Sequence, residues 1–121
     1  VTGLPDAADD LRVGLCTAPD VETAARLGRE AVEAGFAACA NVVPGLRSIY
    51  RWEGAVQDEG EALIVFKTTA AAWPALAAFV AERHPYEVPE LLGLPVRASL
   101  APYADWVRAS VGPVDSPRGG A

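Results

Sequence analysis

A single histidine sets the terms of any chemistry in this chain. His84 lies in the stretch RHPYEVPELLGLPV, Arg83 to Val96, with Tyr86, Glu87 and Glu90 close behind it. Pro85 disfavours helical geometry at the residue before it, so a helix arriving from the N-terminal side ends at His84. Two roles are open to the histidine. It caps that helix, where its cation would suit the macrodipole, or it is a ligand. In a polyproline-like segment, residues three apart align, which groups His84 with Glu87 and Glu90. In a strand-like segment, His84, Tyr86, Val88 and Glu90 share a side. Glu90 accompanies His84 in both geometries and Glu87 in one.

The remaining candidates are scattered. Cys16 follows the apolar run LRVGL, and Cys39 sits among small residues in AACAN. A thiolate beside an imidazole would favour a soft or borderline metal, so Cys16 with His84 is a candidate metal pair. Either thiol is equally readable as a small buried hydrophobe. Lys67 is the one charge inside ALIVFKTT. It snorkels or pairs with a carboxylate, or it binds an anion in a cleft with Arg51 or Tyr86 beside it. Trp52 stands at a turn, as packing or as recognition. No phosphate loop, dinucleotide fingerprint or HExxH occurs. A histidine triad has only His84 to build on. Histidine, lysine, tyrosine and glutamate have the parts for acid–base work, but no spacing demands it, and the chain is read as a non-enzyme.

The elements that must position these residues are legible from periodicity. LRVGLCT reads as a buried strand. VETAARLGREAVEAG follows as a helix with Val21, Ala24, Ala25, Gly28, Ala31, Val32 and Gly35 inward, Pro19 and Asp20 at its start and Gly35 at its end. FAACANVVPGLRSIYRW is extended, and Pro44-Gly45 makes it a bulged or edge strand. Glu53-Gly54 turns the chain into a second long strand, AVQDEGEALIVFKTT. AAAWPALAAFVAERH is a second helix with Pro74 in its first turn. ELLGLPVRA reads as a fourth strand and PYADWVRASV as a closing helix. This order is α+β, the split β-α-β arrangement of ferredoxin-like folds plus a C-terminal helix. The long hairpin leaves strand edges that ask to be paired, which points to self-association.

Composition bounds the rest. The 121 residues make one domain. Residues 1–10 read as a disordered tail, 11–111 as the folded unit, and 112–121, rich in Gly, Pro and Ser, as a flexible tail. Ten basic against sixteen acidic residues give a net charge of −6, which repels phosphate backbones and argues against nucleic acid. One RGG, Arg118 to Gly120, does not overturn this. No apolar run reaches the ~18 residues of a membrane span. VTGLPDAADD lacks the character of a signal peptide, so a cytoplasmic protein with two reduced thiols is expected.

LCTAPD, AACANVVPGLRSIYRWEG, ALIVFKTT, HPYEVPELLGLPV and the closing YADW together resemble the successive signatures of the CutA-type divalent-cation tolerance proteins, over about residues 11–111. The resemblance implies a homotrimer of ferredoxin-like subunits joined by their hairpins, architecturally close to the PII signalling proteins. It implies divalent-cation tolerance, with Cu(II) or another divalent ion held by Cys16 and His84, and no catalytic activity. Arg83 stands where the family pairs a second histidine with His84, and a guanidinium cannot replace an imidazole. The family's inter-subunit cleft maps onto Trp52, Lys67, Tyr86 and Glu90. Two readings of function follow. One is a metal-binding tolerance protein. The other is a PII-like sensor that holds a small anion or metabolite in that cleft and signals to an unidentified protein partner.

Overall fold

The computed structural model describes residues 8–112. Arg118 to Gly120 and most of both expected tails lie outside the described residues.

The strand β1 (Leu11–Ala18) leads into helix α1 (Val21–Glu33). Asp20 caps α1 by accepting the Thr23 N–H at Oδ1, 2.7 Å away, which satisfies one of the orphan donors of the first turn. Gly35, at φ +81°, closes the other end in a left-handed conformation. There the Gly35 and Phe36 N–H groups donate to the Val32 and Ala31 carbonyls. The buried stripe of α1 is Ala24, Leu27, Gly28 and Ala31. Val21 and Val32, expected inward, are 45% and 39% exposed, and Leu27 takes the central place.

Strands β2 (Cys39–Trp52) and β3 (Ala55–Thr69) form the long hairpin, turned by Glu53 and Gly54 in positive φ. The register slips between Val43 and Leu46, at Pro44-Gly45, giving the expected bulge. Helix α2 (Trp73–Arg83) starts three residues later than the sequence suggested, because Ala70 to Ala72 form a turn. Strand β4 spans only Leu92–Pro95, shorter than the run ELLGLPVRA. Pro89 lacks a ladder donor and lies outside the strand, and Pro95 ends it. Helix α3 (Ala101–Ser110) closes the described chain.

The four strands form one antiparallel sheet in the order β2-β3-β1-β4. Alternation sorts its residues. Gly14, Cys16, Ala18, Ala62, Ile64 and Phe66 face α1 and α2, and most of them join Leu27, Leu76 and Val80 in the main core. Val13, Leu15 and Thr17 register with Lys67, Val65 and Leu63 on the opposite face. Leu11, at one end of that second face, clusters with Ala8, Ala38, Ala104, Val107 and Val111. The folded unit therefore begins before residue 11. Ala8 is fully buried, and Asp10 holds Arg108 of α3 through two hydrogen bonds of 2.7 and 2.9 Å.

Candidate functional site

The helix α2 delivers His84 to the end of β1. His84 is its C-cap, with extended backbone (φ −74°, ψ 140°) and an N–H that donates to the Val80 carbonyl. The side chain is buried. Its Nδ1 accepts the Tyr86 N–H at 3.1 Å, and a nitrogen that accepts is unprotonated in the neutral ring. The proton is therefore on Nε2, which donates to the Thr17 carbonyl at 2.7 Å. The capping role is fulfilled, and both ring nitrogens have partners.

Cys16 reaches the same oxygen. Its Sγ–H points to the Thr17 carbonyl at 3.7 Å. The sequence-predicted pair thus converges on one carbonyl, contributed by the residue between the strand's last core thiol and its end. Burial pushes the Cys16 thiol up to about 12, with the nearby Glu90 and Glu61 charges adding to the effect. The donor set, one thiol, one imidazole and one carbonyl, suits a soft or borderline divalent ion. Both side chains carry their protons toward the shared oxygen, so an ion could enter only by displacing them. Among the described residues, no three His, Cys, Asp or Glu side chains are grouped as metal ligands. Arg83 turns away from this point and meets Glu30 of α1 at 3.5 Å. Cys39, half-buried, has its thiol against the Asn41 side-chain oxygen.

Beside the pair lies a cleft of about 700 Å³ between the outer part of the β2 arm of the hairpin and the segment 85–90. Trp52, Tyr86 and Glu90 line it, together with Tyr50, Glu61 and Glu87. Tyr86 donates its hydroxyl to Glu61 at 2.6 Å, and Tyr50 donates to Glu59 at 2.7 Å. Burial and the Glu61 bond together raise the Tyr86 phenol well above the ordinary range. Lys67 does not line the cleft. It sits six residues along β3 from Glu61, about 20 Å at the rise of a strand, where its ammonium donates to Asn41. Glu61, Tyr50 and Thr17 were not singled out from sequence. For Glu61 a signal existed, since residues 61, 63, 65 and 67 share one face of β3 and Glu61 is its other charged member.

Residues 12–110 match the family model of the CutA1 divalent ion tolerance protein. The divalent-cation tolerance protein CutA of Thermus thermophilus is 45% identical over 83% of this chain and 97% of its own length. The structure of CutA from Synechococcus elongatus PCC7942 superposes with a TM-score of 0.84 at 42% identity, covering 88% of this chain and 94% of that one. A periplasmic divalent cation tolerance protein CutA from Archaeoglobus fulgidus superposes at 0.81 with 27% identity, over 84% and 99% of the two chains.

Proposed function

The chain belongs to the CutA1 divalent ion tolerance family, and from that premise we propose that it acts in divalent-cation tolerance as a non-enzymic homotrimer that takes up Cu(II) or a related ion at Cys16 and His84. The observation that carries this reading is the convergence of the Cys16 Sγ and the His84 Nε2 on the Thr17 carbonyl. An ion would release the thiol proton and shift the imidazole proton off Nε2, so uptake is coupled to pH.

Self-association is supported by the face of the sheet away from α1 and α2. Leu92 and Leu94 on β4 register with Leu15 and Val13. They are 57% and 47% exposed, and Val43 on β2 is also exposed. With the long β2–β3 hairpin, this gives apolar surface and open edges that a second and third copy would cover. Cys16 and Cys39 are both free thiols. No helix of the described residues is long and apolar enough to cross a membrane.

Calorimetric titration of Cu(II) into wild type, Cys16→Ser and His84→Ala tests the metal seat. Wild type should bind more tightly than either variant, with proton release. Equal binding by all three would remove the site.

A further inference from the structure

We propose that the groove between α1 and α2 docks a basic amphipathic helix of a partner protein. The groove has a volume of about 750 Å³ and is built by the end of α1, the residues just after it and one face of α2. On α2 the lining residues Ala75, Ala78, Phe79, Glu82 and Arg83 follow helical spacing. They form one stripe, about 12 Å long at the rise of an α-helix. Both helices cover the sheet face that carries the main core. The exposed Leu92 and Leu94, offered above for assembly, lie on the opposite face. A copy seated there adds no residue to this groove, so one chain supplies the whole lining.

The floor of the groove is aromatic. Phe36 and Phe79 stand with ring centroids 5.7 Å apart, half-buried and packed against the main core. Ala34, Ala75 and Ala78 beside them are small, and small side chains let another helix axis come close. An apolar floor between two helices is the setting of helix-in-groove recognition, which reads anchors at i and i+3 or i+4. The charge of the partner follows from the rim. Glu30, Glu33 and Glu82 stand against one lining cation, Arg83, which is already paired with Glu30 at 3.5 Å. Glu33 and Glu82 are exposed and have no ion pair among the described residues. Arg26 and Arg29 of α1 are outside the lining.

Glu33 belongs to α1 and Glu82 to α2, so an unpaired carboxylate stands on each bank of the apolar floor. The complement is a helix whose apolar stripe is flanked on both sides by lysine or arginine. Its apolar side chains meet Phe36 and Phe79, and its cations meet the two glutamates. Anionic surfaces have the wrong charge for this rim. Phosphate backbones and acidic lipid headgroups would meet the same carboxylates, on a chain of net charge −6. Neither Cys16 nor His84 lines the groove, and docking requires no metal there.

Two synthetic helices of about 14 residues test the proposal. One carries a leucine stripe flanked by lysines, and the other has glutamate in place of each lysine. Both are titrated into the full chain by fluorescence anisotropy, with circular dichroism as the check on every variant's fold. The lysine peptide should bind saturably, and the glutamate peptide about tenfold more weakly or worse. Glu33→Lys/Glu82→Lys should weaken the lysine peptide by about tenfold or more. Glu22→Lys/Glu53→Lys changes the net charge equally outside the groove, and should leave affinity within about twofold at physiological salt. Ala78→Trp fills the groove from an exposed position without altering its charge, and should also weaken binding by about tenfold. Removing residues 113–121 should leave affinity unchanged. The proposal is overturned by no saturable binding up to on the order of 1 mM, or by equal binding of the two peptides. Equal losses in the two double-lysine variants would reduce the effect to net charge and overturn it too. So would an Ala78→Trp variant that binds like wild type, or a tenfold gain on removing residues 113–121. Light scattering in the same buffer covers the last occupant: an oligomeric state altered by Ala78→Trp would make the groove a contact between copies and overturn the proposal.

Discussion

His84 and Thr17 are joined across 67 residues by one hydrogen bond, from the imidazole Nε2–H to the carbonyl oxygen at 2.7 Å. The bond ties the end of α2 to the end of β1, and the same imidazole fixes the start of the next segment by accepting the Tyr86 N–H. A histidine that serves as helix cap, backbone partner and ring partner of Tyr86 positions one wall of the cleft. The two roles open to it in sequence, cap and ligand, are thus not exclusive. The cap geometry is what brings the ring to the Cys16 side of the sheet.

Removing that ring should cost stability whatever it does to metal binding. His84→Ala takes from the Thr17 carbonyl its imidazole donor and from the Tyr86 N–H its acceptor, a loss of about 1–3 kcal/mol. Urea denaturation of wild type and variant measures it. His84→Gln, whose amide can still donate, should recover part of the loss. An unchanged midpoint for His84→Ala would show that the bond contributes nothing.

The Cys16 thiol gives a signature at alkaline pH. Its value of about 12 in the fold stands against 9.0 for an ordinary cysteine. The folded state holds the proton more tightly than the unfolded chain. The corresponding stability is therefore complete below about pH 9 and is lost as the pH rises toward 12. At 1.36 kcal/mol per pH unit the loss is at most about 4 kcal/mol. Denaturation midpoints followed through that window should fall more steeply for wild type than for Cys16→Ala. Parallel curves would remove the shifted thiol. Metal uptake has the opposite slope, because a metal must displace this proton. Cu(II) affinity should rise by about tenfold per pH unit from a single released proton, and Cys16→Ser should flatten that dependence.

What sequence revealed of this molecule is what local chemistry decides. Asp20 three residues before Thr23, Gly35 at the end of α1, Pro44-Gly45 in the hairpin and Pro85 after His84 each act on neighbours, so each was readable in place. The ferredoxin-like order followed from the same periodicities. Lys67 and Glu61 show the limit. Their separation from Tyr86 depends on where β1 stops along β3, a register that two strands set together. Within one chain it is the glutamate, and not the lysine, that lines the cleft. Asp10 looked like part of an acidic tail because its partner, Arg108, is 98 residues away. Convergence of Cys16 and His84 on Thr17 was invisible for the same reason, since the shared acceptor is a backbone carbonyl with no side-chain signature.

Gly93 is a packing position whose requirement is steric. A Cβ there would lie 2.8 Å from Cη2 of the Trp73 ring, and a Cβ on Gly14 of the adjacent strand would lie 3.2 Å from Cζ3 of the same ring. The indole is flanked by two glycines that register opposite each other on β1 and β4. Gly93→Ala should therefore push the indole off its seat and destabilise the fold by about 1–3 kcal/mol. Thermal denaturation with near-ultraviolet circular dichroism reads both effects. A variant with an unchanged aromatic signal and melting temperature would show that Trp73 moves without cost.

The sheet face predicts the assembly. Leu92 and Leu94 extend the apolar surface of Leu15 and Val13 to the β4 edge. Both leucines remain exposed in the single chain, where they support no core of their own. Replacing both by glutamate would bury like charges at a symmetric contact, and a repulsive contact of that kind costs several kcal/mol. The double variant Leu92→Glu/Leu94→Glu should run as a folded monomer in light scattering coupled to size exclusion, while wild type runs as a trimer. Far-ultraviolet circular dichroism should stay unchanged, because the core facing α1 and α2 is not touched. A variant that stays trimeric at micromolar concentration would move the interface off this face and leave the β2–β3 hairpin as its only support. A wild type that runs as a monomer would end the trimer reading altogether.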